Sequence, residues 1–109
     1  MKTAKLPSSR PHDATVLELL KDDPEFASVY LAAALEESGL PGGQQALLAA
    51  LRHVAEAQGM AAVAQRAGIP RESLYRSLNA NANPTIKTLL AVLNAAGLQL
   101  AVTRPHQAA

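Results

Sequence analysis

The chain has 109 residues, of which 49% are hydrophobic and only 3% aromatic, and its net charge is +1. It contains no cysteine, which excludes disulfides and thiolate metal sites, and no apolar run reaches the roughly 18 residues that span a bilayer. We therefore expect a cytoplasmic protein with one domain and one modest core, all-α because Ala, Leu, Gln and Arg favour helix.

The first segment, residues 1–12, has the composition of a flexible basic arm. It contains two prolines, two serines and three basic residues, with no acid and no hydrophobic periodicity. We expect the folded domain to occupy residues 13–103 and residues 104–109 to form a short tail.

Three helices are predicted in the first half of this domain. The first covers 14–22 after a cap at Asp13, and the second runs from Asp23-Pro24 to about Ser38. A third covers about 44–58. Residues 13–58 carry two basic and eight acidic residues, a net charge of −6. This acidity indicates either a surface for a partner or ordinary solvated helices.

Three more helices are predicted in the second half, over about 60–67, 70–79 and from Asn83-Pro84 to Gly97. The last has apolar residues at i, i+3, i+4 and i+7 from Ile86 to Leu93. Residues 98–103 alternate with a period of two, which predicts a short strand. A lone strand needs a partner. The alternatives are pairing across a two-fold axis, pairing with another protein's sheet, or a frayed terminus.

The helix predicted over 70–79 separates a cationic side from an apolar side. At about 100° per residue, Arg71, Tyr75 and Arg76 lie on one arc, and Leu74 and Leu78 lie on the other. This arrangement is either a solvated face or a binding surface, and the neighbouring residues favour binding. The preceding helix is lined with small residues, and Gly68 permits a sharp turn before the cationic helix.

This segment resembles a DNA-binding helix-turn-helix of the Cro/Xre type. The residues that carry the resemblance in the core are Ala64, Gly68, Ile69, Leu74 and Leu78, within residues 60–79. The stretches 23–25, 59–60, 68–75 and 83–85 resemble the antidote proteins of HigBA-like toxin–antitoxin modules. The resemblance extends over about residues 13–103 and implies five or six helices.

The resemblance implies that the second helix of the pair enters the major groove. The residues implied to contact DNA are Pro70, Arg71, Glu72, Tyr75, Arg76, Asn79, Asn81 and Lys87. Arginine bonds guanine O6 and N7 bidentately, which makes Arg71 and Arg76 candidate base readers. Glu72 either accepts from cytosine or stabilises the helix N-terminus. The asparagines are phosphate ligands or plain turn residues, with Asn83 expected as a helix cap.

The resemblance also implies two macromolecular partners. One is a palindromic operator in double-stranded DNA, read by a homodimer on half-sites about 34 Å apart or a multiple of that. The other is a cognate toxin of the RelE/ParE type, a basic protein to which the acidic half is electrostatically suited. The implied function is an antitoxin that neutralises the toxin and represses its own operon.

Enzymatic function is not expected. His12, His53 and His106 have no metal-ligand spacing, and no nucleophile has an evident base. We therefore predict no catalytic residue, metal, cofactor, small-molecule substrate or membrane association. Two alternatives remain for the function: a stand-alone Xre-type regulator, or a helical protein-interaction module that does not bind DNA. Met60 and Pro70, which depart from the family pattern, keep the second alternative open.

Overall fold

In the part of the chain that the structure describes there are six α-helices, which confirms the all-α prediction. The structure is a computed structural model that describes residues 10–105, with side chains described from Asp13 onward. No helix in this range is long and apolar enough to cross a membrane. The helices are α1 (Arg10–Asp22), α2 (Phe26–Glu36), α3 (Gly43–Gln58), α4 (Met60–Ala67), α5 (Arg71–Ser77) and α6 (Ile86–Ala95).

The first helix begins earlier than the sequence predicts. Residues 10–12, assigned above to the basic arm, form the first turn of α1, so Asp13 lies within the helix and does not cap it. The rest of the predicted arm, residues 1–9, lies outside the described residues, as does the end of the tail, residues 106–109. The basic arm is thus at least three residues shorter than predicted.

The central helix of the fold is α3, against which α1, α2 and α4 all pack. One side of α3 is almost fully buried: Leu48, Leu51, Val54 and Ala55 are each at most 3% exposed. These residues recur at helical spacing, so their burial explains both why the segment is helical and how it holds its neighbours.

The last helix is fixed at both ends by polar contacts. Thr85 caps its N-terminus, with its hydroxyl oxygen accepting from the backbone N–H of Thr88 at 3.1 Å. The predicted cap, Asn83, lies two residues too early, because the helix begins only at Ile86. At the C-terminus, Arg66 Nε donates to the Ala95 carbonyl at 2.7 Å and Gln58 donates to the Ala96 carbonyl at 2.9 Å.

The predicted C-terminal strand is wrong for the single chain. Within residues 10–105 the structure contains no strand, and residues 98–105 have no regular secondary structure. Leu98 is still held, because its N–H donates to the Leu93 carbonyl at 2.8 Å. The chain beyond Leu98 is exposed, and the described fold offers it no second strand with which to form a ladder.

A buried histidine ties the first three helices together. His53 of α3 is only 5% exposed; its Nε2 lies 3.0 Å from Asp13 Oδ1 and its Nδ1 lies 2.8 Å from the Tyr30 hydroxyl. Because the carboxylate can only accept, Nε2 carries the hydrogen, and in the neutral ring Nδ1 accepts from Tyr30. His53 is therefore an interhelical residue.

We expect Tyr30→Phe to lower the free energy of unfolding by about 1–3 kcal/mol near neutral pH, the usual cost of leaving a buried acceptor unpaired. Burial, and then the Asp13 carboxylate, raise the pKa of Tyr30 above its ordinary value of 10.0, against an opposing effect of Arg52. Because this pKa is higher in the folded than in the unfolded state, the protonated hydroxyl stabilises the fold. The contribution is complete below about pH 10 and is lost as the pH rises through the folded-state pKa.

The difference in stability between wild type and Tyr30→Phe should therefore narrow above about pH 10. Urea unfolding near neutral pH and in alkaline buffer measures it. A difference that stays constant across this range would show that the tyrosine hydroxyl is not held in its neutral form by the fold.

Candidate nucleic-acid interface

The helix pair α4–α5 is joined by a three-residue turn, residues 68–70. Gly68 has φ +76°, in the left-handed region that favours glycine. The N–H of Ile69 donates to the Ala64 carbonyl at 3.1 Å, and the N–H of Gly68 donates to the Gln65 carbonyl at 3.2 Å. These bonds close the end of α4, and the chain then enters α5 at a fixed angle.

The apolar side of α5 is completely buried. Leu74 is 0% exposed and Leu78, immediately after the helix, is 1% exposed. Across from them on α4, Val63 and Ala64 are 0% and 2% exposed. A seven-residue helix is too short to be stable alone, so this packing is what holds α5 in place.

The other side of α5 presents two exposed guanidinium groups beside a tyrosine. The Arg71 guanidinium carbon lies 5.7 Å from the centre of the Tyr75 ring, a cation–π contact. Arg76 Nη2 donates to the Ser73 hydroxyl at 3.2 Å. Neither arginine is buried or paired with an acid in these contacts, and Tyr75 is 40% exposed. Both positive charges therefore remain available for an external anion.

The remaining residues predicted to contact DNA surround this cationic side. Pro70 precedes α5 with an extended backbone and offers no side-chain cap, and Glu72 lies in the first turn. Asn79 and Asn81 are exposed in the loop after α5, where Asn79 Oδ1 accepts from the Asn81 N–H at 3.1 Å. This bond agrees with a turn role. Lys87 is exposed in the first turn of α6.

A shallow groove runs between α5 and the start of α6. Its polar lining consists of Ser73, Arg76, Ser77, Asn83, Thr85 and Thr88. Hydroxyl and amide groups beside an arginine are the groups that proteins use to contact the phosphates of DNA. The groove thus extends the exposed surface of α5 with further hydrogen-bond donors.

Arg52 also contributes to this surface, although the sequence did not predict that it would. It lies on α3, yet its Nη1 donates to the Leu78 carbonyl at 2.6 Å, and it shares a surface depression with Tyr75, Arg76 and Asn79. A cation at the C-terminal end of a short helix stabilises it through the helix dipole. Its sequence position, within an otherwise acidic half, gave no signal of this contact.

Arg66, on α4, stabilises the fold and is not part of this surface. Besides its bond to the Ala95 carbonyl, its Nη2 donates to Gln58 Oε1 at 2.9 Å. The Arg66 guanidinium is thus occupied by hydrogen bonds to the end of α6 and to Gln58. Among the described residues, no group of three or more His, Asp and Glu is placed to hold a metal ion.

Comparison with known proteins identifies related sequences. A family model described as a probable addiction module antidote protein matches residues 10–104. An uncharacterized protein from Haemophilus influenzae (strain Rd) is 37% identical over 90 residues, which cover 83% of this chain and 88% of that protein. No solved structure matches the chain.

Proposed function

The chain belongs to the family of probable addiction module antidote proteins, and from this premise we propose that it is a DNA-binding antitoxin. Membership of an antidote family implies a toxin as partner and a regulatory rather than a catalytic role. The finer proposal is that the chain neutralises a toxin of the RelE/ParE type and represses the operon that encodes both, as in HigBA-like modules.

The observation that carries DNA binding is the two-sided packing of α5. Leu74 is fully buried against α4, and Arg71 and Arg76 are exposed on the other side. Such a helix can enter a major groove with its guanidinium groups leading and without exposing its apolar side. We therefore propose that α4 and α5 are a helix-turn-helix of the Cro/Xre type and that α5 is its reading helix.

DNA recognition by one short helix requires a second copy of the chain. A single helix reads only a few base pairs, whereas a symmetric dimer reads two half-sites of a palindrome. An apolar stripe on α6 supports such a dimer: Ile86 is 71% exposed and Leu90, one turn later, is 40% exposed. Lys87, exposed beside this stripe, would then face the phosphates of the operator.

The experiment that tests this function combines two binding assays. The full chain is titrated against its own upstream region and against unrelated DNA of equal length. It is also co-expressed with the product of the gene adjacent to its own, which the proposed function predicts to be a small toxin. We expect preference for the upstream region, steep weakening with salt because phosphate contacts release counterions, and co-purification with the gene product. No preference in the first assay would refute repression, and no complex in the second would refute the antitoxin role.

A further inference from the structure

The second helix is apolar on its outward side as well as its inward side. Its eleven residues include a single charged one, Glu36. Ala27 and Leu31 are buried toward the core. On the opposite side Val29 is 64% exposed, and Leu35, one turn after Leu31 at the end of the helix, is 37% exposed. A surface helix normally presents polar residues to water, and one that is apolar all round is normally covered.

The outward side of α2 continues into a groove against the C-terminal segment. Between α2 and residues 98–105 lies a cavity of about 860 Å³, lined by Ala32 and Leu35 on the helix side. Leu100 and Val102, which line the other wall, are 40% and 98% exposed. We call this surface the α2 face, composed of Val29, Ala32, Ala33, Leu35, Leu100 and Val102.

Carboxylates mark both ends of the helix that carries the α2 face. Glu25 precedes α2, and Glu36 and Glu37 are at its end; all three are exposed. Over residues 13–38 the chain carries seven acidic residues and one basic residue, so the whole charge of −6 found in residues 13–58 lies on α1, α2 and the residues beside them. An occupant of this surface must tolerate a strongly negative field.

The negative charge around the α2 face limits which molecules can bind there. DNA, which is also negatively charged, is repelled. A second copy of the chain is disfavoured as well, because two α2 helices packed antiparallel bring Glu25 of one copy beside Glu36 of the other, and like charges in a contact cost free energy. A protein with an apolar centre and a basic rim satisfies both the apolar side chains and the carboxylates.

We propose that the α2 face is the surface on which this antitoxin binds its toxin, through an apolar toxin segment flanked by lysine or arginine. This inference rests on the proposed antitoxin function. The two alanines in the middle, Ala32 and Ala33, allow a helix of the toxin to approach α2 closely, since small side chains shorten the distance between packed helices. Carboxylates at the rim accelerate association with the basic partner.

The test is the affinity of the full chain for the product of the gene adjacent to its own, which the proposed function predicts to be the toxin. Val29→Lys places a positive charge on the α2 face, at an exposed position beside the groove. Because Val29 is mostly exposed and lysine favours helix, the free chain should still fold. The matched control is Leu40→Lys, since Leu40 is 60% exposed but lies in the turn after α2 and outside the α2 face.

We expect Val29→Lys to weaken toxin binding by about 30-fold or more, because it places a charge in an apolar contact, and Leu40→Lys to leave toxin binding within about threefold. Both variants should bind the upstream DNA as the wild type does. The neutralising pair Glu36→Gln and Glu37→Gln should slow association at low salt and lose that effect at high salt.

Each other outcome has a distinct meaning. Toxin binding by Val29→Lys at wild-type affinity, or equal losses in Val29→Lys and Leu40→Lys, overturns the α2 face while the antitoxin function stands. Failure of the wild-type chain itself to bind the gene product overturns both the antitoxin function and the docking surface.

Discussion

Replacing Arg71 and Arg76 together with alanine is expected to weaken binding to the operator between about 30-fold and about 10⁴-fold. Each arginine placed bidentately on a guanine supplies about 1–3 kcal/mol of discrimination, and about 1.4 kcal/mol corresponds to a factor of ten. Binding to unrelated DNA should fall less, because that binding depends on phosphate contacts made by other residues. The measurement is a titration of labelled upstream DNA at constant salt.

The control for this double variant is Lys21→Ala. Lys21 is an exposed cation in the last turn of α1, within the acidic part of the chain. Removing its charge changes the net charge without touching α5, so operator affinity should stay close to that of the wild type. The double variant removes two positive charges and the control removes one, so a control loss of about half that of the double variant on a logarithmic scale would mean that only overall charge matters and that α5 does not read bases.

The largest effect on stability is expected from Leu74→Ala, a loss of about 2–5 kcal/mol in the free energy of unfolding. Leu74 is fully buried in the α4–α5 contact, so its truncation removes apolar contacts and leaves a cavity. The total free energy of unfolding of a small domain is about 5–15 kcal/mol, so this loss is a large fraction of it. Operator binding should fall with it, although both arginines remain.

Urea unfolding measures this loss, and Leu40→Ala is the matched control. Leu40 is 60% exposed, so its truncation should change stability by no more than about 0.5 kcal/mol. If Leu74→Ala cost as little as the control, then α5 would not depend on its apolar side for its position. Loss of operator binding at full stability would instead point to a direct role of Leu74 at the DNA.

The helices could be predicted from the sequence where burial and turn residues agree. Helix α4 matches the prediction at both ends, because Gly59 and Gly68 bound a segment whose Met60, Val63 and Ala64 are buried at helical spacing. The two-sided character of α5 was also predictable, since residues 71–78 determine it without reference to the rest of the fold.

Other features depended on contacts that a local pattern does not contain. The alternation of residues 98–103 predicted a strand, but a strand exists only with a partner, and the described chain supplies none. Asn83 and Thr85 both have the chemistry of a cap, and only the position at which α6 begins selects Thr85.

The roles of individual arginines were the least predictable part of the candidate site. Arg52 and Arg66 form hydrogen bonds with carbonyls 26 and 29 residues away, at Leu78 and Ala95. Sequence spacing does not indicate either bond, because the first depends on how α3 lies beside the end of α5 and the second on how α4 lies beside the end of α6. The exposed state of Arg71 and Arg76 follows from their own helix and was predicted correctly.

The most direct test of the central claim, that the cationic side of α5 enters the major groove, is methylation interference on the upstream DNA. Methylating guanine N7 blocks the major-groove atom that an arginine would contact. If α5 reads the groove in this way, two groups of interfering guanines are expected, related by a palindrome and separated by about 34 Å or a multiple of that along the duplex. Binding that is unaffected by N7 methylation would contradict the placement of α5 in the major groove.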